Sequence, residues 1–189
     1  MRRLLIGYVS LFPLAACVHR APDRQFAHFE WITIPIALVE KETYEPVATA
    51  DADRLGCSGA AANRPICSIG LPNSEEDAAF RAETARLATH SNPRCRDLSA
   101  AMNRNLLQVR MYPRALISEV GRMRHYGVGH SYRSDRIWQI RIARRLTDLN
   151  PRSIDQKVRT FRHEVAHTLG ASEDRFLSWS AEEYAERCG

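Results

Sequence analysis

Residues 151–170 constrain this chain more than any other stretch. Ser153 followed by Gln156 is the pairing of a capping box, with Pro151 just outside it, so the spacing predicts a helix beginning near Ile154. Val158, Phe161, Val165 and Leu169 recur at helical spacing and form one apolar stripe. At about 100° per residue, His163 and His167 fall on roughly the opposite side. Gly170 supplies a C-terminal stop. One face of this helix is expected to pack on a core while the other looks into a cleft.

The polar face reads His163-Glu164-Val165-Ala166-His167. Two imidazoles one turn apart stack on the same side of a helix, where both reach a single metal ion. Zinc takes neutral imidazole nitrogen readily and, in catalytic sites, keeps one position open for water. Glu164 stands where a general base for that water is needed.

This H-E-x-x-H segment resembles the zincin metallopeptidases. The resemblance implies Zn2+ as cofactor, His163 and His167 as ligands and Glu164 as the catalytic base. A third ligand is required, and two spacings offer one. Glu173 gives H-E-x-x-H-x-x-G-x-x-E, similar to the metzincin spacing, although that group carries His or Asp there and a later methionine turn. No methionine follows Met123 here. Ser180-Ala181-Glu182-Glu183-Tyr184-Ala185-Glu186-Arg187 instead resembles the gluzincin arrangement, in which a second helix brings a Glu ligand with an acid four positions later. Such outer acids commonly support a ligand histidine. Ser180 and Glu183 also fit a capping box, which leaves Glu182 as the expected metal ligand, with Glu173 and then Asp174 as alternatives. The plainer account of Glu182, Glu183 and Glu186 is a solvated acidic helix face.

At the other end, Arg2 and Arg3 precede an apolar stretch from Leu4 to Leu14 that is too short to span a bilayer. Leu14-Ala15-Ala16-Cys17 resembles the lipobox of bacterial lipoproteins. That resemblance implies cleavage before Cys17, lipidation of its thiol and, with Val18 next, an outer membrane lipoprotein facing the periplasm. The expected organisation is a lipoprotein signal peptide at 1–16, a lipidated tether at 17–25 and one domain at 26–189. An ordinary secretory peptide cut after Ala16 is the alternative. The net charge of +5 is mild and its arginines are scattered, which argues against nucleic acid as a partner.

Four further cysteines, Cys57, Cys67, Cys95 and Cys188, make an even count in an oxidising compartment and so predict two disulfides. Four cysteines allow three connectivities. A local Cys57–Cys67 bridge across a Gly-, Ala- and Pro-containing loop is the simplest, which pairs Cys95 with Cys188; buried free thiols are the alternative. None has the CxxC spacing of a cysteine-rich zinc site.

Between these ends, 31–39 reads as a strand interrupted by Pro35, Ser74 to about Thr89 as a helix with an acidic start, and 97–104 as a second helix. Leu107, Val109 and Met111 alternate with polar residues as a strand ending at Pro113, and so do Trp138, Ile140 and Ile142. The glycine-containing run 121–134 reads as a loop or hairpin region, with His125 and His130 at its surface. The expected fold class is α+β: a small zincin-like domain with a twisted sheet packed on the H-E-x-x-H helix. In zincins an edge strand before that helix pairs with extended substrate, a part assigned here to Ile137–Ile142. The function so implied is a zinc-dependent metallopeptidase acting on peptide or protein substrates at the cell envelope, membrane-bound through Cys17. A cell-wall amidase shares the same site. A non-catalytic lipoprotein of the same fold that binds a partner or a structural metal is the alternative from another class.

Overall fold

Alternating apolar and polar residues make strands of Leu107–Tyr112 and Ile137–Ala143 in the computed structural model, which describes residues 27–35, 69–104, 106–134, 137–147, 149–173 and 179–189. The order of elements is β1 (Ala27–Pro35), α1 (Ser74–Ala88), α2 (Pro93–Met102), β2 (Leu107–Tyr112), β3 (Leu116–Val120), β4 (Met123–Ser134), β5 (Ile137–Ala143), α3 (Ile154–Thr168) and α4 (Ala181–Arg187). The chain is α+β, with a mixed five-stranded sheet ordered β1-β4-β5-β2 and β3 also paired to β4. The β2–β5 pair is parallel and the rest are antiparallel.

One expectation is narrowed here and another corrected. Residues 121–134 take the hairpin alternative and not the loop: Gly121, at φ 62°, turns β3 into β4, a strand of 12 residues. Glycines weaken the local strand signal, but pairing with β1 on one side and with β3 and β5 on the other overrides it. His130 is accordingly buried on β4 rather than exposed. Secondly, Ile137–Ala143 is interior to the sheet, flanked by β4 and β2. Its alternation reports two faces of different polarity, not an open edge. The edge position beside the histidines belongs to β1.

On one face of the sheet, Met111, Ile140 and Ile142 pack against Phe80, Leu87, Leu98, Phe161 and Val165 of the helices. On the other, Tyr112, Ala143, Tyr126 and Val128 gather with Leu116 and Ile117. Helix α3 lies between the sheet and the remaining helices, so residues 160–167 are all buried, the polar ones included. The polar face is therefore a seam inside the molecule, reaching a cleft at Arg159 and His163.

Buried ionic groups hold that arrangement. Arg152 donates to Val128 O and Ala143 O in the sheet and to Gln156 O and Thr160 Oγ1 on α3. Asn73, one residue before the Ser74 start expected from sequence, caps α1 and shares a capping box with Glu76. The fully buried Glu76 carboxylate also accepts from Arg144 at 3.0 Å and Lys157 at 2.9 Å. Arg162 joins α3 to Glu83 of α1 and to Ala185 O of α4.

The Cys95–Cys188 disulfide is present, with Cα atoms 5.6 Å apart, and ties the first turn of α2 to the end of α4. Cys57, Cys67, Cys17, the 1–16 segment and the 17–25 tether lie outside the described residues. Among the described residues no helix is long and apolar enough to cross a membrane.

Burial pushes the Glu76 pKa up, but hydrogen bonds from Arg144, the Asn73 N–H and Lys157 outweigh it and bring it down to about 2. Its contribution to stability is therefore complete above the ordinary value of 4.5 and is lost as pH falls towards 2. Glu76→Gln should lower the unfolding free energy by about 3 kcal/mol at pH 7, since it strands two cations at a buried site. In urea titrations that deficit should shrink between pH 4.5 and 2; a deficit independent of pH would refute the ionised network.

Candidate metal centre

The capping box of α3, with Ser153 Oγ accepting from Gln156 N–H and the Gln156 side chain accepting from Ser153 N–H, sets the register of the helix. His163 and Glu164 follow about two turns after Gln156 and His167 about three, on the side towards β1 and β4. Gly170, at φ 85°, ends the helix in the left-handed conformation that only glycine adopts without strain. The turn it makes brings Ala171 O to 2.8 Å from His167 Nδ1. A proton on Nδ1 donated to that carbonyl leaves Nε2 as the nitrogen available to a ligand.

Three residues beyond Gly170, Glu173 reaches both imidazoles. One of its oxygens lies 3.1 Å from His167 Nε2 and the other 3.4 Å from His163 Nε2. His163, His167 and Glu173 thus offer ligand atoms within 4.8 Å of one another. The rings stand 5.1 Å apart, centroid to centroid, and close to perpendicular.

Glu182 is not placed with that trio. The capped start of α4 puts it on the far side of His163, with Oε2 3.4 Å from Nδ1, where it groups with Glu30 of β1. Glu182, the ligand expected from sequence, thus meets one histidine from behind, and Glu173, the alternative, is the carboxylate that the two imidazoles share. The physical reason is the length of the connection, because the Gly170 turn returns the chain under the helix at once. Asp174 lies outside the described residues.

Glu164 is fully buried between α3 and β4. Its carboxylate fills the space where a side chain on Gly129 would be. A Cβ at that position would stand 2.3 Å from Glu164 Oε1 and 2.6 Å from Thr160 Cγ2. Gly129 pairs with Glu30 across β1 and β4, next to a β-bulge between Glu30 and Trp31.

Sequence reasoning passed over three residues that the structure brings to the site: Glu30, Gly129 and Arg159. For Gly129 a signal existed, since an isolated glycine inside a strand pattern marks close approach by another group. Arg159, a turn before His163, binds Glu30 Oε1 at 2.8 Å and also pairs with Glu182. Glu30, Ile32, Arg159, His163, Glu173 and Glu182 line a cleft of about 310 Å3.

The charges shape each other. Burial alone lowers the His163 pKa, but Glu173, with Glu164 and Glu30 near, overcomes it and raises it to about 9. Glu173, for which burial works upward, is held far below the usual carboxylate range by the two imidazoles. Burial pushes Glu164 up, His163 pulls it partly back and Glu30 adds to the rise, giving about 8.

Tyr126 packs in the core on the other face of the sheet, and Tyr184 stacks edge-on against Trp179. His125 bonds to Thr33 of β1. Comparison with protein-family models, curated proteins and solved structures gives no match to this chain.

Two predictions test this geometry. Gly129→Ala should cost about 1–3 kcal/mol of stability from overpacking against Glu164 and Thr160. If Gly129→Ala is as stable as the parent in urea, Glu164 does not occupy this space.

The second concerns pH. In the folded, metal-free chain His163 keeps a proton from its ordinary 6.5 up to about 9, and Glu164 keeps one from 4.5 up to about 8. The unfolded chain has released both over those windows, so stability falls as pH rises through them. Thermal unfolding of metal-free protein should give a Tm that declines from pH 5 to pH 9. A rising Tm would contradict the raised values.

Proposed function

We propose that this chain is a zinc-dependent metallopeptidase, with zinc held by His163, His167 and Glu173 and with Glu164 as general base. The observation that carries the reading is the convergence of two imidazole Nε2 atoms and one carboxylate beside a buried glutamate. The donor set suits the metal, because catalytic zinc sites take three His or carboxylate ligands and leave a position open. A closed site containing both Glu173 and Glu182 is disfavoured by the placement of Glu182 at His163 Nδ1. When bound, zinc supplies Lewis-acid polarisation of the scissile carbonyl and acidifies water.

The protein's own groups do the rest. Ala171 O orients His167 and Glu182 orients His163, each through Nδ1. Glu164, removed from bulk water, has an affinity for protons close to neutrality, which suits a group that accepts one from water and returns it to a leaving amine. β1 is the edge of the described sheet and contributes Glu30 and Ile32 to the cleft, so an extended peptide backbone is read as pairing along it.

The cellular placement proposed with this function is the outer membrane, facing the periplasm, with lipid on Cys17. It rests on the residues from Leu4 to Cys17, and the Cys95–Cys188 disulfide agrees with an oxidising compartment.

Zinc content and peptidase activity of the full chain test the reading together. The parent should retain about one zinc per chain and cleave members of a mixed peptide library. Glu173→Ala should lose the metal. Glu182→Ala should keep it with affinity about 10–100-fold weaker. Glu164→Gln should keep zinc and lose activity by about 10²–10⁴-fold. No zinc in the parent would overturn the metal centre, and full activity in Glu164→Gln would overturn the mechanism.

A further inference from the structure

Arg159 takes no part in the chemistry just described, yet it is the most connected cation at the site. It lies four residues before His163 on α3, so both project from the same face of the helix. One arm of its guanidinium donates to Glu30 Oε1 on β1 at 2.8 Å. The other donates to Glu182 Oε1 on α4. The free oxygen of Glu182, Oε2, faces His163 Nδ1 at 3.4 Å. Glu30, His163 and Glu182 each offer one nitrogen or oxygen atom within 4.8 Å of the others.

Without a cation, two carboxylates at that spacing repel each other, and Glu182, which is 44% exposed at its side chain, is free to swing into solvent. Helix α4 itself does not depend on Arg159, because Arg162 bonds Ala185 O at 3.0 Å and the disulfide holds Cys188. Removing Arg159 therefore moves a side chain and leaves the fold standing.

We propose that Arg159 is a positioning residue for the metal centre: by bracing Glu30 and Glu182 together it keeps Glu182 on His163 Nδ1 and so presents His163 Nε2 towards His167 and Glu173. The inference rests on the metal reading above and names what controls the affinity of that site. The guanidinium presents its two arms to carboxylates from two elements in a fixed planar geometry, which the compact lysine ammonium, though it has three donors, does not reproduce.

The test uses the full chain as parent, Arg159→Met, Arg159→Lys, Glu182→Gln and the double variant R159M/E182Q. Zinc affinity is read by competition with a chromophoric chelator, and the His163 Nδ1–H resonance by 15N-edited NMR. Arg159→Met and Glu182→Gln should each weaken zinc binding by about 10–100-fold, as loss of outer partners does. Because Arg159 acts through Glu182, the double variant should bind no more weakly than Glu182→Gln. Arg159→Lys should recover only part of the loss. The Nδ1–H resonance should be protected from exchange in the parent and lost in both single variants.

Additive losses in the double variant, or unchanged affinity in Arg159→Met with the resonance retained, would overturn the proposal. If the parent binds no zinc, the metal reading fails by itself. The resonance in metal-free chain then still decides: protection that depends on Arg159 upholds the brace, and protection indifferent to Arg159 removes it.

Discussion

Everything near the site follows from burying the polar side of α3 against a sheet. An amphipathic helix at a surface leaves its charged groups to water, but here residues 160–167 are buried and only His163 among them lines the cleft. Glu164 has no solvent to ionise into, and moving a carboxyl from 4.5 to about 8 favours the neutral form by roughly 5 kcal/mol. Such a cost persists in a fold only where surrounding structure over-determines it. Gly129 removes the side chain that would collide with the carboxylate, Arg152 fixes the helix to two strands, and Glu76 pins it to α1 through Lys157. Strongly shifted groups cluster at functional sites, and structural ion-pair networks such as that of Glu76 shift them as well.

The ionic groups form one chain across three elements. It runs from Glu30 on β1 through Arg159 to Glu182 on α4, then through His163 and Glu173 to His167, and ends at Ala171 O. Carboxylates alternate with guanidinium or imidazole groups, so each partly offsets the desolvation of its neighbour. The Cys95–Cys188 bridge and the Arg162 bond to α4 stand outside this chain and hold its far end independently. That separation lets the site be retuned through single side chains without loosening the fold.

Local signals were legible in the sequence and non-local ones were not. Both capping boxes, Ser153 with Gln156 and Ser180 with Glu183, form as read, because they involve residues three apart on one helix. The α+β class, the helix starting at Ser74 and the Cys95–Cys188 pairing were also readable. The full length of β4 was hidden behind a loop-or-hairpin reading, since two glycines and two histidines in 125–130 dilute the strand pattern and one of its partners, β1, lies far off in sequence. β5 was read as a strand but misplaced as an edge, because alternation is blind to what lies on either side. Glu30 carries no motif at all. Only the bulge at Glu30/Trp31 and its pairing with Gly129 bring it to the histidines.

The carboxylate partner of the two histidines shows why spacing alone left the site open. Glu173 and Glu182 both follow the histidines at family-like distances, and both end within 3.4 Å of His163. What separates them is the nitrogen each one meets. The left-handed turn at Gly170 sends the chain back beneath α3, so the same three residues that cap the helix orient His167 and deliver Glu173 to the Nε2 side. Glu182 arrives later, on an independently capped helix, from the side where Nδ1 points. A substitution at Gly170 therefore acts on two residues of the candidate site at once, His167 through its carbonyl partner and Glu173 through the path of the chain. One at Glu182 acts on His163 alone. The histidine motif is local and travels with its helix; the identity of its carboxylate partner is a property of the turn.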